Sequence, residues 1–249
     1  MKQRHVETNG ITLNVIEEGD GPAVLFVHGF PDGWRGWRRQ MAAVAAAGYR
    51  AISFDMRGYG ESSKPENPAL YTIFYFVGDL VGILAGLGID RATLVGHDRH
   101  MRPGADREWA DAATTFPGML YWASGLPDAS ERWDPMGPKK SLNRPSPIGI
   151  PSFASREDVE VAIAGFERDG FHGPLNIYRA MQSYFEEAGA FAGAKVRQPA
   201  FFAFGTADGM IKMRALEEGD LAKNVPNLKG FLRHCAGRKH LHGMTASSS

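Results

Sequence analysis

The run Thr93-Leu94-Val95-Gly96-His97-Asp98 carries the most specific chemical signal in the chain. An apolar stretch ending in Gly-x-Asp reads as a buried strand feeding a sharp turn that presents a carboxylate. That is the geometry of a nucleophile elbow with Asp in place of Ser. The plainer reading of Asp98 is a residue that only makes the turn. Upstream, His28-Gly29-Phe30-Pro31 follows Val27, and a glycine N–H exposed past a strand end is what an oxyanion hole requires. Taken alone, that tetrapeptide is equally a strand-to-loop turn. Asp55-Met56-Arg57-Gly58-Tyr59-Gly60-Glu61-Ser62 is more specific, since both glycines permit tight backbone turns. For Asp55 and Arg57 a structural role is the better reading.

These residues need elements to hold them. Residues 5–8 and 11–17 flank Asn9-Gly10, a strong hairpin signal. Residues 23–27 form a continuous apolar run, the pattern of a strand covered on both faces. A helix is expected over 37–47 and a strand over 50–54. Over 76–87, Val77, Leu80, Val81, Leu84 and Leu87 recur at helical spacing, Gly88 closes the helix, and 92–95 form the next strand. Strands alternating with helices indicate an α/β fold with a parallel sheet, whose ligand sites lie at the carboxyl ends of the strands. His28, Asp55 and Asp98 each fall just past a strand end, so the three are expected to cluster.

From residue 99 the texture changes. A short helix is expected over 106–116, an extended Pro-, Ser-, Gly- and Asn-rich loop over 125–151, and a helix over 155–168 with Ser155 as N-cap. One further helix is expected over 174–188, with Pro174 tolerated in its first turn. Residues 199–204 return to strand character and end at Gly205-Thr206-Ala207-Asp208, and 228–232 suit a last strand.

Composition narrows the class. The 249 residues suffice for one substantial core, with 43% hydrophobic and 22% charged residues. Lys plus Arg and Asp plus Glu both number 28, which gives no electrostatic case for nucleic acid or membrane. The single cysteine, Cys235, excludes an internal disulfide and fits a reducing compartment. With no secretory signal and no bilayer-length apolar run visible, a cytoplasmic location is expected.

Together the motifs resemble the epoxide-hydrolase branch of the α/β-hydrolase fold. His28–Pro31 is similar to that family's HGxP oxyanion loop, residues 55–62 to its D-x-R-G-Y-G-x-S segment, and Gly96–Asp98 to its G-H-D elbow. Asn176-Ile177-Tyr178-Arg179 is similar to the cap motif N-x-Y-R, and residues 205–208 to the turn carrying the catalytic acid. The resemblance implies a mostly parallel sheet with flanking helices and a partial helical cap. It divides the chain into a first core part (1–98), a partial cap (99–195) and a remaining core segment (196–249).

It also implies roles. Asp98 is the nucleophile, whose carboxylate can attack an epoxide carbon without losing a proton. Backbone N–H groups of Phe30 and Arg99 hold the oxyanion, and His28, Pro31 and Trp37 contact substrate. Tyr178 hydrogen-bonds or protonates the epoxide oxygen, which becomes strongly basic as the ring opens. Asp208 orients a base that activates water against the resulting ester. For that base His240 is the first choice, with His242 and His234 behind it. The substrate is a small-molecule epoxide with water, and no metal or organic cofactor is implied. The residues themselves leave plainer roles open: a packed tyrosine at Tyr178, an Asx turn at Asp208, tail histidines at 234–242.

The chain departs from this pattern after Asp98. His100 stands where the family has glycine, and Pro103-Gly104 break the helix that should begin there. Sequence from about Met101 reads like the middle of a cap. The elbow helix, the next core strand and the first part of the cap, including a second epoxide-binding tyrosine, have no counterpart, and Tyr121 lies in surroundings that do not match. The family's closing helix has none after His242. An incomplete core is therefore expected, with exposed apolar surface and an unpaired sheet edge. Two alternatives follow: a haloalkane or haloacid dehalogenase using the same Asp98 attack, and a catalytically inactive pseudoenzyme or fragment. Trp37 and the Asn176–Arg179 motif favour epoxides.

Overall fold

In a computed structural model, residues 1–97, 109, 111–134, 137–138, 141–209 and 218–234 are described. Internal contacts group the chain into two compact units, Met1–Phe116 with Ser152–Ala192 and Pro117–Pro151 with Gly193–Ser249.

The first unit opens with a hairpin of β1 (Lys2–Thr8) and β2 (Ile11–Glu18). Its two-residue turn puts Asn9 at φ 52° and Gly10 at φ 76°, the left-handed pair that Asn-Gly accepts most readily. There follow β3 (Ala23–Val27), a 3-10 turn at Trp34–Trp37, α1 (Arg38–Ala46), β4 (Arg50–Phe54), a second 3-10 turn at Pro68–Tyr71, α2 (Ile73–Gly86) and β5 (Ala92–Gly96). α2 starts ahead of the expected residue 76 because Thr72 supplies the extended backbone of an N-cap. The sheet order is β1-β2-β4-β3-β5. β3 runs parallel to β4 and β5, while β2 is antiparallel to β1 and β4.

The sheet is buried on both faces along β2, β3 and β4. Val6, Leu13, Val15, Leu25, Ile52 and Phe54 pack with Ile83 of α2 on one face. Ile16, Val24, Phe26 and Ala51 pack with Trp37 and Met41 on the other. Adjacent residues of β3 thus feed opposite layers, which is why that strand is apolar throughout. β5 differs. Among the described residues it pairs only with β3, and Leu94 is 60% exposed. Val77 and Val81 of α2 are also exposed, at 48% and 60%.

α3 (Ala112–Trp122) begins after Asp111, whose carboxylate accepts the Thr114 N–H at 3.1 Å. The expected helix over 106–116 is corrected at both ends: Trp109 and Asp111 precede it, and it continues through Pro117 to Trp122. Contacts of its last turn outweigh the local cost of proline, with the Trp122 indole N–H donating to Arg144 O at 3.0 Å under the Arg144 guanidinium. α4 (Arg156–Asp169) follows Ser155, whose hydroxyl accepts the Asp158 N–H. The single helix expected over 174–188 is two, α5 (His172–Arg179) and α6 (Met181–Ala188), because the chain turns at Ala180 with ψ near zero.

In the second unit β6 (Ala200–Gly205) pairs in parallel with β7 (Leu228–His234). α7 (Glu218–Asn224) between them was not anticipated, since its seven residues, EGDLAKN, carry no apolar periodicity. Among the described residues, no helix is long and apolar enough to cross a membrane.

Candidate active site

β3 and β4 end side by side, so the residues that follow them meet. His28 is fully buried; its Nδ1 lies 2.9 Å from Gly29 O, and its Nε2 accepts the Met56 N–H at 3.0 Å. An Nε2 that accepts from an amide carries no proton, so Nδ1–H donates and the ring is neutral. Burial acts the same way, pushing the His28 pKa below its ordinary value. His28 therefore ties the two post-strand turns together and does not supply a charge.

Asp55 is equally committed. Its carboxylate accepts from Asn14 Nδ2 at 2.8 Å and from the backbone N–H groups of Trp34 and Glu61, each at 3.2 Å. Arg57 makes a buried two-point pair with Asp79, Nε to Oδ2 at 2.7 Å and Nη2 to Oδ1 at 2.5 Å. Both residues brace the loop. Gly58 has a positive φ of 89°, and a Cβ there would sit 2.8 Å from the Gly173 carbonyl carbon. Only glycine lets this loop approach the first turn of α5 so closely.

That approach matters because α5 carries Tyr178. Asn176 is buried, directs its Nδ2 towards the carbonyls of Pro65 and Glu66 at 3.4 Å, and accepts from Arg179 at 2.6 Å. Arg179 also donates to His172 O at 2.9 Å. The Asn and Arg of the motif thus fix the helix, and Tyr178 between them turns its ring edge-on to Phe30, 5.7 Å between centroids. Trp109 and Phe171 complete the aromatic cluster around Phe30. His28, Phe30, Met56, Tyr71, His97 and Tyr178 line one cavity of about 230 Å³.

Not every expected site residue borders that cavity. Pro31, joined to Phe30 by a cis peptide bond, lines a second cavity of about 440 Å³ with the 58–61 loop and α4. Trp37 packs on Phe26 and His97, at 5.2 and 4.8 Å between centroids, with its buried indole N–H unpaired among the described residues. Asp208 belongs to the second unit, where it is exposed and its N–H closes a turn onto Gly205 O at 3.1 Å. His234 ends β7. Asp98, Arg99, His240 and His242 lie outside the described residues. The expected meeting of His28, Asp55 and Asp98 is therefore seen for its first two members. Among the described residues, no group of three or more His, Cys, Asp or Glu is placed to hold a metal ion.

A family model described as the alpha/beta hydrolase fold matches residues 22–99. An epoxide hydrolase of Caballeronia sordidicola is 41% identical over 283 residues, covering 93% of this chain and 86% of that protein. Epoxide hydrolase A of Mycobacterium tuberculosis is 33% identical, covering 84% and 83%. This chain belongs to the epoxide hydrolase family. Among solved structures, epoxide hydrolase A from Mycobacterium thermoresistibile matches with a TM-score of 0.82 at 29% identity, covering 95% of this chain and 92% of the other. A mutant of the Vigna radiata epoxide hydrolase matches with a TM-score of 0.80 at 28% identity, covering 94% and 91%.

Membership makes the chain an enzyme of the α/β-hydrolase fold by descent, and it makes one length informative. The 283 residues matched to the Caballeronia epoxide hydrolase exceed the 249 of this chain, so the alignment steps over residues of the relative that have no counterpart here. A pairing that the sequence did not suggest also comes into view: Asp32, directly after the HGxP loop, lies 3.5 Å from the His97 ring. The nearest signal in the sequence is that both residues sit beside motifs already singled out.

Proposed function

We propose that this chain opens epoxides to vicinal diols through an alkyl ester on Asp98. The observation that carries the reading is the edge-on contact of Tyr178 with Phe30 in a cavity past β3. It brings the residue suited to meet an epoxide oxygen to the loop suited to hold an oxyanion, beside the strand that leads to Asp98. The Asp98 carboxylate attacks a ring carbon, the carbon–oxygen bond breaks, and the oxygen takes the Tyr178 phenol proton. Tyrosine is a weak acid, with a pKa of about 10, but the opening oxygen is an alkoxide and accepts readily. The ester carbonyl oxygen, which gains charge when water attacks, is held by the Phe30 and Arg99 N–H groups. A histidine–aspartate pair deprotonates that water, and by family resemblance the pair is His240 with Asp208.

The test is diol release from a panel of terminal and disubstituted epoxides, with Asp98→Asn as control. Turnover that Asp98→Asn abolishes is the expected result. Halide release from haloalkanes without diol formation would replace the epoxide reading by dehalogenation.

A second reading has its own support. The exposed edge of β5 and the residues of the relative without counterpart fit an internal deletion after Asp98, and with it an inactive product. That reading is upheld by a chain without cooperative melting and without diol release, and discarded by a cooperatively melting chain with Asp98-dependent turnover.

A further inference from the structure

The second cavity, of about 440 Å³, has no part in the reaction so far. It lies within the first unit, lined by α4 and by the loops that follow β3 and β4. α4 turns one stripe to it: Asp158, Val161, Ala162, Gly165, Phe166 and Asp169 recur at helical spacing. The small residues of that stripe leave the space open, and a Cβ at Gly165 would meet nothing within 4 Å. Pro31 and Tyr59 add apolar surface from the two loops. Tyr59 also lines the first cavity, its ring edge-on to His28 at 4.7 Å and to Phe166 at 6.5 Å. One buried side chain thus stands between the two cavities.

The charged groups at its margin are matched within the chain. Asp158 pairs with Arg35 and Arg38, Asp169 pairs with Arg168 and Lys64, and Asp32 lies beside His97. Glu61 accepts from Gln3 at 2.9 Å, and Asp55 takes three donors. A charged ligand would have to compete with these partners. An anion would also meet the carboxylates of Asp32, Asp55, Glu61, Asp158 and Asp169 against the guanidiniums of Arg35 and Arg168 alone. A donor is left over. Arg35 borders the cavity, and its Nε is buried with no acceptor among the described residues. Its Nη2, by contrast, reaches Glu157 at 3.2 Å and Asp158 at 3.5 Å. A buried N–H without an acceptor costs free energy that a ligand oxygen would recover.

We propose that this cavity is a second binding site, separate from the reaction cavity, for an uncharged and mainly apolar small molecule that carries a carbonyl or ether oxygen. The apolar body lies along Val161, Ala162 and Phe166 of α4, against Pro31 and Tyr59. The oxygen accepts from Arg35 Nε. The volume falls in the range of roughly 300–1,000 Å³ that receives drug-sized ligands. Binding here needs neither turnover nor an ester on Asp98.

The probe is prodan, an uncharged naphthyl ketone whose emission moves to the blue in apolar surroundings, titrated against the full chain. Wild type is expected to bind it saturably. Gly165→Leu fills the cavity from α4 without meeting a neighbour and should weaken binding at least ~10-fold. Ala162→Leu, one turn away, should do the same. Arg35→Met fills nothing, keeps the stem and removes the Nε donor, so it tests the same site where a filled variant does not fold. It should weaken binding about 5-fold, the worth of one hydrogen bond. Val77→Trp, at the first cavity and on an exposed position, should leave binding unchanged. No saturable binding to wild type overturns the proposal, as does an affinity that Gly165→Leu and Ala162→Leu leave unaltered. Loss in Val77→Trp with Gly165→Leu unaffected moves the ligand to the first cavity and overturns it too. Unchanged affinity in Arg35→Met overturns the oxygen contact. Anilinonaphthalene sulfonate, an anion of similar size, should bind more weakly than prodan, and tighter binding that Gly165→Leu abolishes overturns the uncharged class.

Discussion

Leu25 and Leu94 are partners across the same pair of parallel strands, yet Leu25 is 1% exposed and Leu94 is 60% exposed. Their strands, AVLFV and ATLVG, are similarly apolar. The difference lies in what surrounds them. β3 has strand neighbours on both sides and packed layers on both faces, whereas β5 has β3 alone among the described residues. α2 repeats the contrast within one helix, burying Asp79 and Ile83 while exposing Val77 and Val81. An apolar pattern records the cover a segment requires; it does not guarantee that the cover is present.

The largest effect should come from the buried side of α2. Asp79 Oδ1 accepts from both Asn9 and Arg57, and its Oδ2 accepts from Arg57, so one carboxylate joins the hairpin turn, the helix and the loop behind the site. Asp79→Asn keeps the shape but leaves the Arg57 guanidinium buried without its counter-charge. That should cost about 3–5 kcal/mol, read from the urea-unfolding midpoint. The whole stability of a domain is roughly 5–15 kcal/mol, so this variant lies near the limit of folding. A loss below about 1 kcal/mol would mean that the buried half of the molecule is less determined than its packing implies.

Leu25→Ala follows in size. It removes a side chain packed with residues of β2, β4 and α2, and should cost about 2–5 kcal/mol in the same measurement. A value near zero would place the folding-competent core elsewhere.

The first half of this comparison is legible from residues alone. A continuous apolar run locates β3, Asn9-Gly10 locates the hairpin turn, and Ser155 locates the start of α4. His28, Phe30 and Tyr178 stand in separate motifs, and the parallel strand ends together with the Gly58–Gly173 approach bring them to one cavity. What stays hidden depends on packing and not on local pattern. Pro31 and Trp37 belong to the right segments but face a different cavity and the core. Nothing in the sequence pairs Asp32 with His97, and only the docking of the 28–33 loop beside the end of β5 brings them together. The break between α5 and α6 lies in one backbone angle at Ala180, a residue whose type favours helix.

The smallest effect is the most discriminating. Leu94→Ala should change stability by no more than about 0.5 kcal/mol, because an exposed side chain loses little when it is truncated. The same substitution at its partner Leu25 is worth several times more, so the two variants measured side by side turn the contrast between the strands into one difference of unfolding free energies. A Leu94→Ala loss of 2 kcal/mol or more, of the order found in a packed core, would show that a surface closes over β5 in solution. If that loss grew with protein concentration, the cover would come from a second molecule, since folding coupled to association responds to mass action and folding within one chain does not. If it stayed constant, the cover would come from the chain itself, and the apolar sequence of β5 would have found its partner after all.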